Sequence, residues 1–366
     1  MRIALTHAYC WPEVRRGAER ILRELGDALA RRGHEVTVLT AARADGRHRA
    51  NGVTTIRLRQ RREDGYAHQA DFGRRVLPYL VAKRFDAVHS MSQRDATAAI
   101  RSKYVHPRRQ TVITDLGLPM HAWWDLQGEE AKFHERVVRD IDVYGAMSRF
   151  ALKLLADEYG RQGVLTPGGV NLATLVPSAA RTPEPTLLFS GAILEPRKGV
   201  ATLLEALPLI AKQEPKVRLW LSGPGDPTPL IEAAPAVARD HTDAIGLGDP
   251  DVQHERYGRA WATVLASKYD SFGQALLESL ACGTPIVAST HAAVPELVGP
   301  STGALCEPDD PESLAAACLR AFELARLPET VEACRQSAEP YDWLTALAPR
   351  YERYYAGDAS VESTTT

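Results

Sequence analysis

A loop that leads into an apolar helix carries the most informative chemistry of this sequence. Ser271 followed by Gln274 matches a capping box, which predicts that Ser271 opens the helix. The backbone N–H groups of the first turn, near Phe272 and Gly273, then lack intrahelical partners and carry partial positive charge. Such a helix start suits an anionic or hydroxyl-rich ligand.

Two carboxylates accompany this helix start. Asp270 immediately precedes Ser271, and Glu278 follows eight residues after Asp270, about two helical turns into the segment. Carboxylates accept hydrogen bonds, so at this separation the pair could hold the hydroxyls of two parts of one polyhydroxylated ligand. The residues alone leave an alternative open, in which Asp270 only complements the helix dipole and Glu278 lies on a solvated face.

The elements that position these residues alternate between strands and helices. The first forty residues predict a strand, a helix and a second strand, which implies parallel pairing with a right-handed crossover. The alternation lapses in the proline-rich stretch 177–185, the best candidate for a linker, and it restarts at Thr186. Two doubly wound domains would place a ligand cleft between the carboxyl ends of two parallel sheets.

Length and composition agree with this organisation. The chain has 366 residues, of which 45% are hydrophobic and 25% charged, as expected for a soluble globular protein of two domains. No run approaches the roughly 18 apolar residues of a membrane span, and the first apolar stretch is too short for a signal peptide. Five scattered cysteines without a CxxC pair argue against a disulfide framework and a cysteine zinc site, so we expect a cytoplasmic protein.

Charge is distributed unevenly along the chain. The first 178 residues carry 29 Lys and Arg against 20 Asp and Glu, whereas the remainder carries 15 against 26. Such asymmetry can mark an anionic partner on the basic side, or it can reflect attraction between two domains. The basic residues are diffuse and no reading helix accompanies them, so we expect no nucleic acid partner.

Short segments throughout residues 1–356 resemble, in the same order, the motifs of one enzyme family. The stretch 270–287 is similar to a glycine-flanked Glu-x7-Glu signature, with Asp-Ser-Phe-Gly in place of Glu-Gly-Phe-Gly. The other matching segments are 12–20, 34–40, 85–89, 167–171, 189–199, 217–225 and 296–310. In this pattern the chain resembles the GT-B retaining glycosyltransferases of family 4, also described as glycosyl transferases group 1.

The resemblance implies an α/β fold of the GT-B type, with two Rossmann-like, doubly wound domains that face each other across a cleft. We predict that the acceptor domain spans residues 1–178 and that the nucleotide-sugar donor domain spans residues 179–340. A crossover helix over 341–357 would return toward the N-terminal domain, and residues 358–366 would form a disordered tail. The implied activity is transfer of a sugar from a nucleoside diphosphate sugar to an acceptor, with retention of the anomeric configuration.

The resemblance also assigns roles in a donor site. Lys198 lies where the family lysine contacts the nucleotide diphosphate, and Arg197 precedes it in the same loop, where both can form charge-assisted hydrogen bonds to phosphate. Asp270 matches the glutamate that faces the donor sugar, and Glu278 matches the glutamate that holds the ribose hydroxyls. The remaining residues implied in donor binding are Glu195, Ser271, Phe272, Gly273 and Gly17.

Four positions depart from the family pattern. Ala192 replaces an arginine that would contact phosphate, and Arg16 replaces the first glycine of the N-terminal loop. Asp270 is one methylene shorter than the family glutamate, and Asp115 stands where the first domain often has a histidine. These departures keep open a non-catalytic nucleotide-sugar-binding protein on a decayed scaffold. A phosphorylase or nucleotide-sugar epimerase on the same fold is a further alternative, which the pattern of Asp270 and Glu278 disfavours.

The acceptor is expected to contact the first domain, where aromatic residues lie in predicted loops. Aromatic faces stack on the apolar surfaces of sugars and similar molecules, although ordinary packing would also explain some of these residues. The candidate acceptor residues are Trp11, Asp115, His121, Trp123 and Trp124. The acceptor itself could be a small molecule, a lipid-linked compound or a glycan.

Other partner classes receive little support from the sequence. A basic region between Arg57 and Pro78 could meet an anionic membrane surface, but Pro78 is expected to break any amphipathic helix there, so membrane contact is not favoured. No cofactor or metal is expected, because the resemblance implies that cations and helix dipoles stabilise the leaving phosphate. The acidic pairs in 140–142 and 249–251 are accordingly interpreted as caps and turns. The sequence has no Gly-rich loop ending in Lys-Ser/Thr, which argues against a P-loop nucleotide hydrolase.

Overall fold

The computed structural model describes residues 1–10, 14, 17–61 and 65–358. The chain divides into two compact units, of which the first comprises Met1–Gly169 and Trp343–Thr366 and the second comprises Val170–Asp342. The chain therefore leaves the first unit after Gly169 and returns to it at Trp343. The predicted boundary between the two domains, after residue 178, lies nine residues later than the boundary in the structure. From residue 359 onward, the predicted disordered tail lies outside the described residues.

The first unit is built on an eight-stranded sheet. Its strands are β1 (Arg2–Thr6), β2 (Glu35–Ala42), β3 (Gly46–Ala50), β4 (Val53–Arg59), β5 (Ala87–Ser90), β6 (Gln110–Asp115), β7 (Val143–Ala146) and β8 (Val164–Leu165). They follow the order β3-β4-β2-β1-β5-β6-β7-β8, and only β3 and β4 pair in antiparallel fashion. In β1, Leu5 lies opposite Val38 on one side and His89 on the other, so the winding direction changes at this strand.

Helices connect these strands. They are α1 (Gly17–Arg31), α2 (Gly65–Ala82), α3 (Gln93–Ser102), α4 (His121–Trp124), α5 (Glu129–Asp140) and α6 (Arg149–Tyr159). Helix α1 buries Ile21, Leu22, Leu25 and Leu29, which recur at helical spacing and form its apolar face. Gly33, with φ of +88°, follows this helix and permits the left-handed turn into β2.

Two features of the first unit differ from the sequence predictions. Helix α2 continues through Pro78, where a break was predicted. Proline removes one backbone hydrogen bond, but Val76 and Leu80 on either side are fully buried, and this packing stabilises the helix. Strand β3 was not predicted, because its residues are all exposed; it pairs with β4 through a tight turn at Asn51 and Gly52, which both have positive φ.

The second unit contains a six-stranded parallel sheet. Its strands are β9 (Thr186–Ser190), β10 (Arg218–Ser222), β11 (Thr242–Ala244), β12 (Ala262–Leu265), β13 (Ile286–Ser289) and β14 (Gly303–Cys306). Their order is β11-β10-β9-β12-β13-β14, with Leu187 of β9 opposite both Leu219 and Ala262. The two parallel sheets confirm the predicted pair of Rossmann-like domains.

Seven helices belong to the described part of the second unit. They are α7 (Val200–Ala211), α8 (Thr228–Ala233), α9 (Ala236–His241), α10 (Pro250–Arg259), α11 (Gln274–Ala281), α12 (Pro311–Ala325) and α13 (Glu329–Ala338). Helix α11 is the apolar helix that was predicted to follow the loop at Ser271. Helix α12 begins after Asp310, whose Oδ1 accepts a hydrogen bond from the backbone N–H of Ser313 at 2.9 Å.

The proline-rich stretch 177–185, predicted to be a linker, lies within the second unit and packs against other residues of that unit. The guanidinium of Arg181 donates to the carbonyl oxygens of Ala260 at 2.7 Å and Gly283 at 3.2 Å. The indole of Trp261 donates to the carbonyl oxygen of Thr182 at 2.8 Å. These hydrogen bonds fix the chain as it approaches β9.

The C-terminal segment returns to the first unit, as predicted for the crossover helix. It consists of a π-helical turn over Trp343–Leu347 followed by helix α14 (Ala348–Tyr355). The indole of Trp343 donates to Glu24 Oε2 at 2.6 Å, and Arg32 donates to both carboxylate oxygens of Glu352 at 2.6 and 2.8 Å. The segment is thus bound to the middle of α1 and to the residue that follows its C-terminal end.

A buried histidine also connects this segment to the first sheet. His89 Nδ1 shares a hydrogen bond of 2.7 Å with the hydroxyl of Tyr355, and His89 Nε2 shares one of 2.9 Å with the hydroxyl of Thr114. Burial lowers the pKa of His89 to about 3, so the imidazole is neutral near pH 7.

Candidate functional site

The loop that precedes α7 is fixed against the end of β12. Residues Pro196–Lys198 form one 3-10 turn, and Gly199 with φ of +74° begins the helix. A Cβ atom at Gly199 would lie 2.2 Å from the carbonyl oxygen of Ala266, so only glycine permits this approach. The backbone N–H of Lys268 donates to the carbonyl oxygen of Arg197 at 2.8 Å. The loop is therefore held where the chain leaves β12.

This arrangement brings two predicted site residues into contact. The ammonium of Lys198 lies 2.5 Å from Asp270 Oδ2, and the two side chains are only 15% and 13% exposed. A hydrogen bond between two charged groups is stronger than one between neutral groups. The cationic loop and the segment before α11 thus converge within the second unit.

Arg197 lies at the edge of the same cluster. Its guanidinium donates to the carbonyl oxygen of Tyr269 at 3.2 Å and forms an ion pair of 2.5 Å with Glu195. It also lies 3.9 Å from Asp270 Oδ2. In the structure, Glu195 therefore holds Arg197 in place beside Lys198.

The start of α11 differs from the predicted capping box. The helix begins at Gln274, and the N-cap is Gly273 with φ of +97°, not Ser271. Glycine adopts this left-handed conformation without strain, and a Cβ atom there would lie 3.1 Å from Val294 Cγ1. In the first turn the N–H of Leu276 donates to the carbonyl oxygen of Gly273 at 2.9 Å. The helix dipole still places partial positive charge at this end of α11.

Glu278 is buried rather than solvated. Only 4% of this residue is exposed, which overturns the interpretation of Glu278 as part of a solvated face. Its Oε1 accepts a hydrogen bond of 3.0 Å from the side-chain amide of Gln274, one turn earlier on α11. Phe272 is also buried, with its ring 5.8 Å from that of Tyr341. A buried carboxylate in a fixed orientation is suited to accept hydrogen bonds from ligand hydroxyls.

In the first unit, Gly17 opens α1 on an exposed surface. A Cβ atom at Gly17 would meet no atom of the described residues within 4 Å. Close by, His7 Nε2 lies 3.5 Å from Oε1 of Glu19, and both side chains are buried. This pair was not predicted, because only Glu19 lies in a segment that resembles a family motif, whereas His7 follows β1 outside any such segment.

The candidate acceptor residues lie around the end of β6. Asp115 is buried and accepts hydrogen bonds from the N–H of Gly117 at 3.0 Å and from the hydroxyl of Tyr144 at 2.5 Å. His121 through Trp124 form the short helix α4, although they were predicted to lie in loops. Trp11 lies outside the described residues.

The two tryptophans of α4 have different environments. Trp123 is 48% exposed, whereas Trp124 stacks on His134 with ring centroids 4.2 Å apart. His121 packs 4.2 Å from the ring of Tyr159. Sequence reasoning missed His134, Tyr144 and Tyr159, since their helical and strand positions carry no motif.

The acidic residues noted in the sequence and the helices of the described ranges bear on metal binding and on membrane insertion. Among the residues that the structure describes, no three His, Cys, Asp or Glu side chains converge as they would around a metal ion. Of the acidic pairs noted in the sequence, Asp142 pairs with Lys103 at 2.5 Å and Asp249 is the N-cap of α10. None of the helices in the described ranges has the length and apolarity needed to cross a bilayer.

Comparison with known proteins identifies two family models along the chain. The model described as Glycosyltransferase Family 4 matches residues 15–174, and the model described as Glycosyl transferases group 1 matches residues 184–323. A phosphatidyl-myo-inositol mannosyltransferase from Mycolicibacterium smegmatis is 29% identical over 375 residues, which cover 95% of this chain and 92% of the relative.

Solved structures share the fold across nearly the whole chain. Sucrose-phosphate synthase from Thermosynechococcus elongatus matches with a TM-score of 0.80 and 23% identity, covering 97% of this chain and 98% of that one. Anabaena HepE in complex with UDP-glucose matches with a TM-score of 0.72 and 17% identity, covering 97% and 100%. At these identities the likeness shows the fold alone.

Proposed function

This chain is a glycosyltransferase with the GT-B fold, and we propose that it transfers a sugar from a nucleoside diphosphate sugar to an acceptor hydroxyl with retention of configuration. The observation that carries the proposal is the pairing of Lys198 with Asp270 beside the start of α11, in the unit that also buries Glu278. The complex of Anabaena HepE with UDP-glucose supports a nucleotide-sugar donor. The family assignment disfavours the non-catalytic alternative.

The difficult step is the departure of an anionic diphosphate from a sugar that develops oxocarbenium character. Lys198 directs one of its three N–H groups at Asp270, so the ammonium can also donate to a phosphate oxygen. Arg197 supplies a second cation at the edge of the site, and the amides at the start of α11 supply oriented dipoles. Donors fixed in advance around the leaving group lower the free energy of the transition state.

The two carboxylates are proposed to hold the donor. Asp270 would accept a hydrogen bond from a hydroxyl of the donor sugar, and Glu278 would accept hydrogen bonds from the ribose. The acceptor oxygen would bond to the anomeric carbon on the face from which the diphosphate leaves, and the departing phosphate oxygen would take the hydroxyl proton. This mechanism requires no nucleophilic side chain.

We further propose that the reaction needs no divalent metal, because Lys198 and Arg197 can neutralise part of the diphosphate charge. Donor turnover should then be unchanged by EDTA. A cytoplasmic location is supported by the cysteines, which are odd in number and scattered along the sequence without a CxxC pair.

The experiment that tests the function is hydrolysis of nucleotide sugars in the absence of an acceptor. The protein is incubated with UDP-, GDP-, ADP- and dTDP-linked hexoses, and release of the nucleoside diphosphate is followed. With the donor that turns over, Lys198→Ala should lower kcat/KM by about 100- to 1000-fold, as expected for removal of one donor to a developing anion. Glu278→Ala should chiefly raise the KM for the donor.

The matched control is Lys216→Ala, which removes an exposed lysine of the same unit and should leave hydrolysis unchanged. Equal kcat/KM for Lys198→Ala and the unmodified protein would contradict the assigned role. Tight donor binding without turnover, on water or on any acceptor, would instead support the non-catalytic alternative.

A further inference from the structure

An aromatic cluster in the first unit contains polar groups that the proposed donor chemistry does not use. His134 of α5 lies at its centre and is 0% exposed. The indole of Trp124 stacks on this imidazole at 4.2 Å with the ring planes 12° apart. Tyr159 and Tyr144 present their edges at 5.1 and 6.3 Å, and Tyr144 donates to Asp115 at the end of β6.

Several polar atoms of this cluster are unsatisfied. Within the described part of the chain, Trp124 Nε1, both ring nitrogens of His134 and the hydroxyl of Tyr159 are buried and have no hydrogen-bond partner. Each such atom loses hydration without compensation, which destabilises the fold, and native proteins leave few of them. Four in one cluster indicate a place where a ligand supplies the missing partners.

The electrostatics of the cluster indicate which ligand fits. Burial raises the pKa of the Tyr159 hydroxyl, and the neighbouring acidic groups raise it further; they are Glu158, Asp115, Asp125 and Glu135. Burial lowers the pKa of His134 to about 4, so this residue is neutral near pH 7. A phosphate would therefore meet these acidic groups and an uncharged His134.

Arg94 and Arg136 each lie beside a carboxylate. Arg94 forms a bidentate ion pair with Glu130, which compensates its charge. Arg136 lies 3.6 Å from Asp140, which also pairs with Arg139, and the Nε of Arg136 is buried without a hydrogen-bond partner among the described residues. The charge of Arg136 is therefore only partly compensated. The unsatisfied groups themselves are an indole, an imidazole and a phenol, which exchange hydrogen bonds with hydroxyls and stack on the apolar faces of rings.

We propose that the cluster of Trp124, His134, Tyr159 and Asp115 binds an uncharged, polyhydroxylated ring of the acceptor, such as a sugar or a cyclitol. This inference rests on the proposed function and specifies its acceptor. Trp123, half exposed on the same short helix, offers a second aromatic face beside the cluster. Any phosphate group on the acceptor would have to lie away from these residues.

The test compares neutral rings with their phosphates by calorimetric titration of the full chain. The probes are myo-inositol and myo-inositol 1-phosphate, and methyl α-glucoside and glucose 6-phosphate. At least one neutral probe should bind, with a Kd at least tenfold below that of its phosphate. Trp124→Phe and Tyr159→Phe each remove one unsatisfied group and keep a ring, and each should weaken binding about fivefold or more.

The matched control is Tyr104→Phe, which removes an exposed hydroxyl of the same unit and should leave binding unchanged. Thermal unfolding of Trp124→Phe and Tyr159→Phe should occur at an equal or higher temperature, because each variant loses a buried unsatisfied group. Binding of a phosphate as tight as that of its neutral partner, unaffected binding in both variants, or binding by no probe would overturn the inference. If donor hydrolysis persists in any of these cases, the proposed function stands and only this inference fails.

Discussion

Asp270 shows how a single residue can differ from its family pattern and keep a defined place. Aspartate is one methylene shorter than glutamate, yet Asp270 Oδ2 reaches the ammonium of Lys198 at 2.5 Å. The short distance is permitted because Gly199 lets the preceding loop approach the end of β12 closely. The shorter carboxylate and the close loop are therefore compatible parts of one site.

The first prediction concerns the length of this carboxylate. Asp270→Glu should retain donor hydrolysis within about tenfold of the unmodified kcat/KM, because the charge is kept. Asp270→Ala should lose about 100-fold or more, since both a sugar contact and the partner of Lys198 disappear. Steady-state hydrolysis of the donor measures both variants, and equal activities would show that the carboxylate does not contact the donor.

At the scale of elements, the loop over 195–199 depends on one backbone conformation. Gly199 combines φ of +74° with a Cβ position that would collide with a carbonyl oxygen. A side chain at this position would therefore move the whole loop, including Arg197 and Lys198.

The second prediction tests this dependence. Gly199→Ala should destabilise the protein by about 1–3 kcal/mol and lower kcat/KM for the donor by tenfold or more, because the loop must shift away from β12. Gly160→Ala is the matched control, since Gly160 also has positive φ of +60° but a Cβ atom there meets nothing within 4 Å. Thermal unfolding and donor hydrolysis report both effects. Equal losses in the two variants would mean that strain alone, without the steric conflict, explains the result.

Many of the helices and strands could be predicted, because apolar residues that recur at helical or strand spacing are the residues that become buried. The strand, helix and strand predicted in the first forty residues correspond to β1, α1 and β2, whose apolar residues are buried. Strand β3 could not be predicted in this way, because its residues are exposed and show no apolar alternation. The Asn51-Gly52 dipeptide is the sequence feature that indicates the hairpin. The break expected at Pro78 is absent because tertiary packing outweighs the loss of one hydrogen bond.

The candidate site was predictable to a different degree. Asp270 and Glu278 were predicted because their spacing resembles a family signature, and Lys198 was predicted because segment 189–199 resembles another motif of the same family. The capping role of Ser271 was wrong, since a left-handed Gly273 takes the N-cap instead. The contact between Trp124 and His134 could not be foreseen, because it depends on how α4 packs onto α5 and neither residue belongs to a motif.

At the scale of the whole molecule, the return of the chain to the first unit relies on buried polar contacts. His89 is held neutral between Tyr355 and Thr114, and Glu352 pairs with Arg32 and His34. Hydrogen bonding to Arg32 is the main cause that lowers the pKa of Glu352 to about 2. Both groups make the attachment of α14 sensitive to acid.

The third prediction is a loss of stability on acidification. The folded protein keeps His89 neutral down to a pH of about 3, whereas the unfolded chain takes up a proton below about 6.5. The contribution of His89 is therefore fully present above pH 6.5 and falls by about 1.4 kcal/mol for each pH unit between 6.5 and 3. Glu352 acts in the same direction at lower pH, between about 4.5 and 2.

Urea unfolding of the protein and of His89→Gln at pH 7.5 and 5.0 measures this effect. The variant should be less stable at pH 7.5, because the amide cannot reproduce both hydrogen bonds, but its free energy of unfolding should fall less on acidification. The same pH dependence in both proteins would show that His89 titrates equally in the folded and unfolded states.

The division of the first unit between residues 1–169 and 343–358 has a consequence for biosynthesis. During translation, the eight strands of the first sheet leave the ribosome before Tyr351 and Tyr355, which pack on His89, have been synthesised. The second unit is continuous in sequence, so it can fold before the ribosome has synthesised α14, which the first unit needs to complete its own fold. A nascent chain arrested before codon 343 would therefore carry one finished lobe and one incomplete lobe, and protease sensitivity should be confined to the latter.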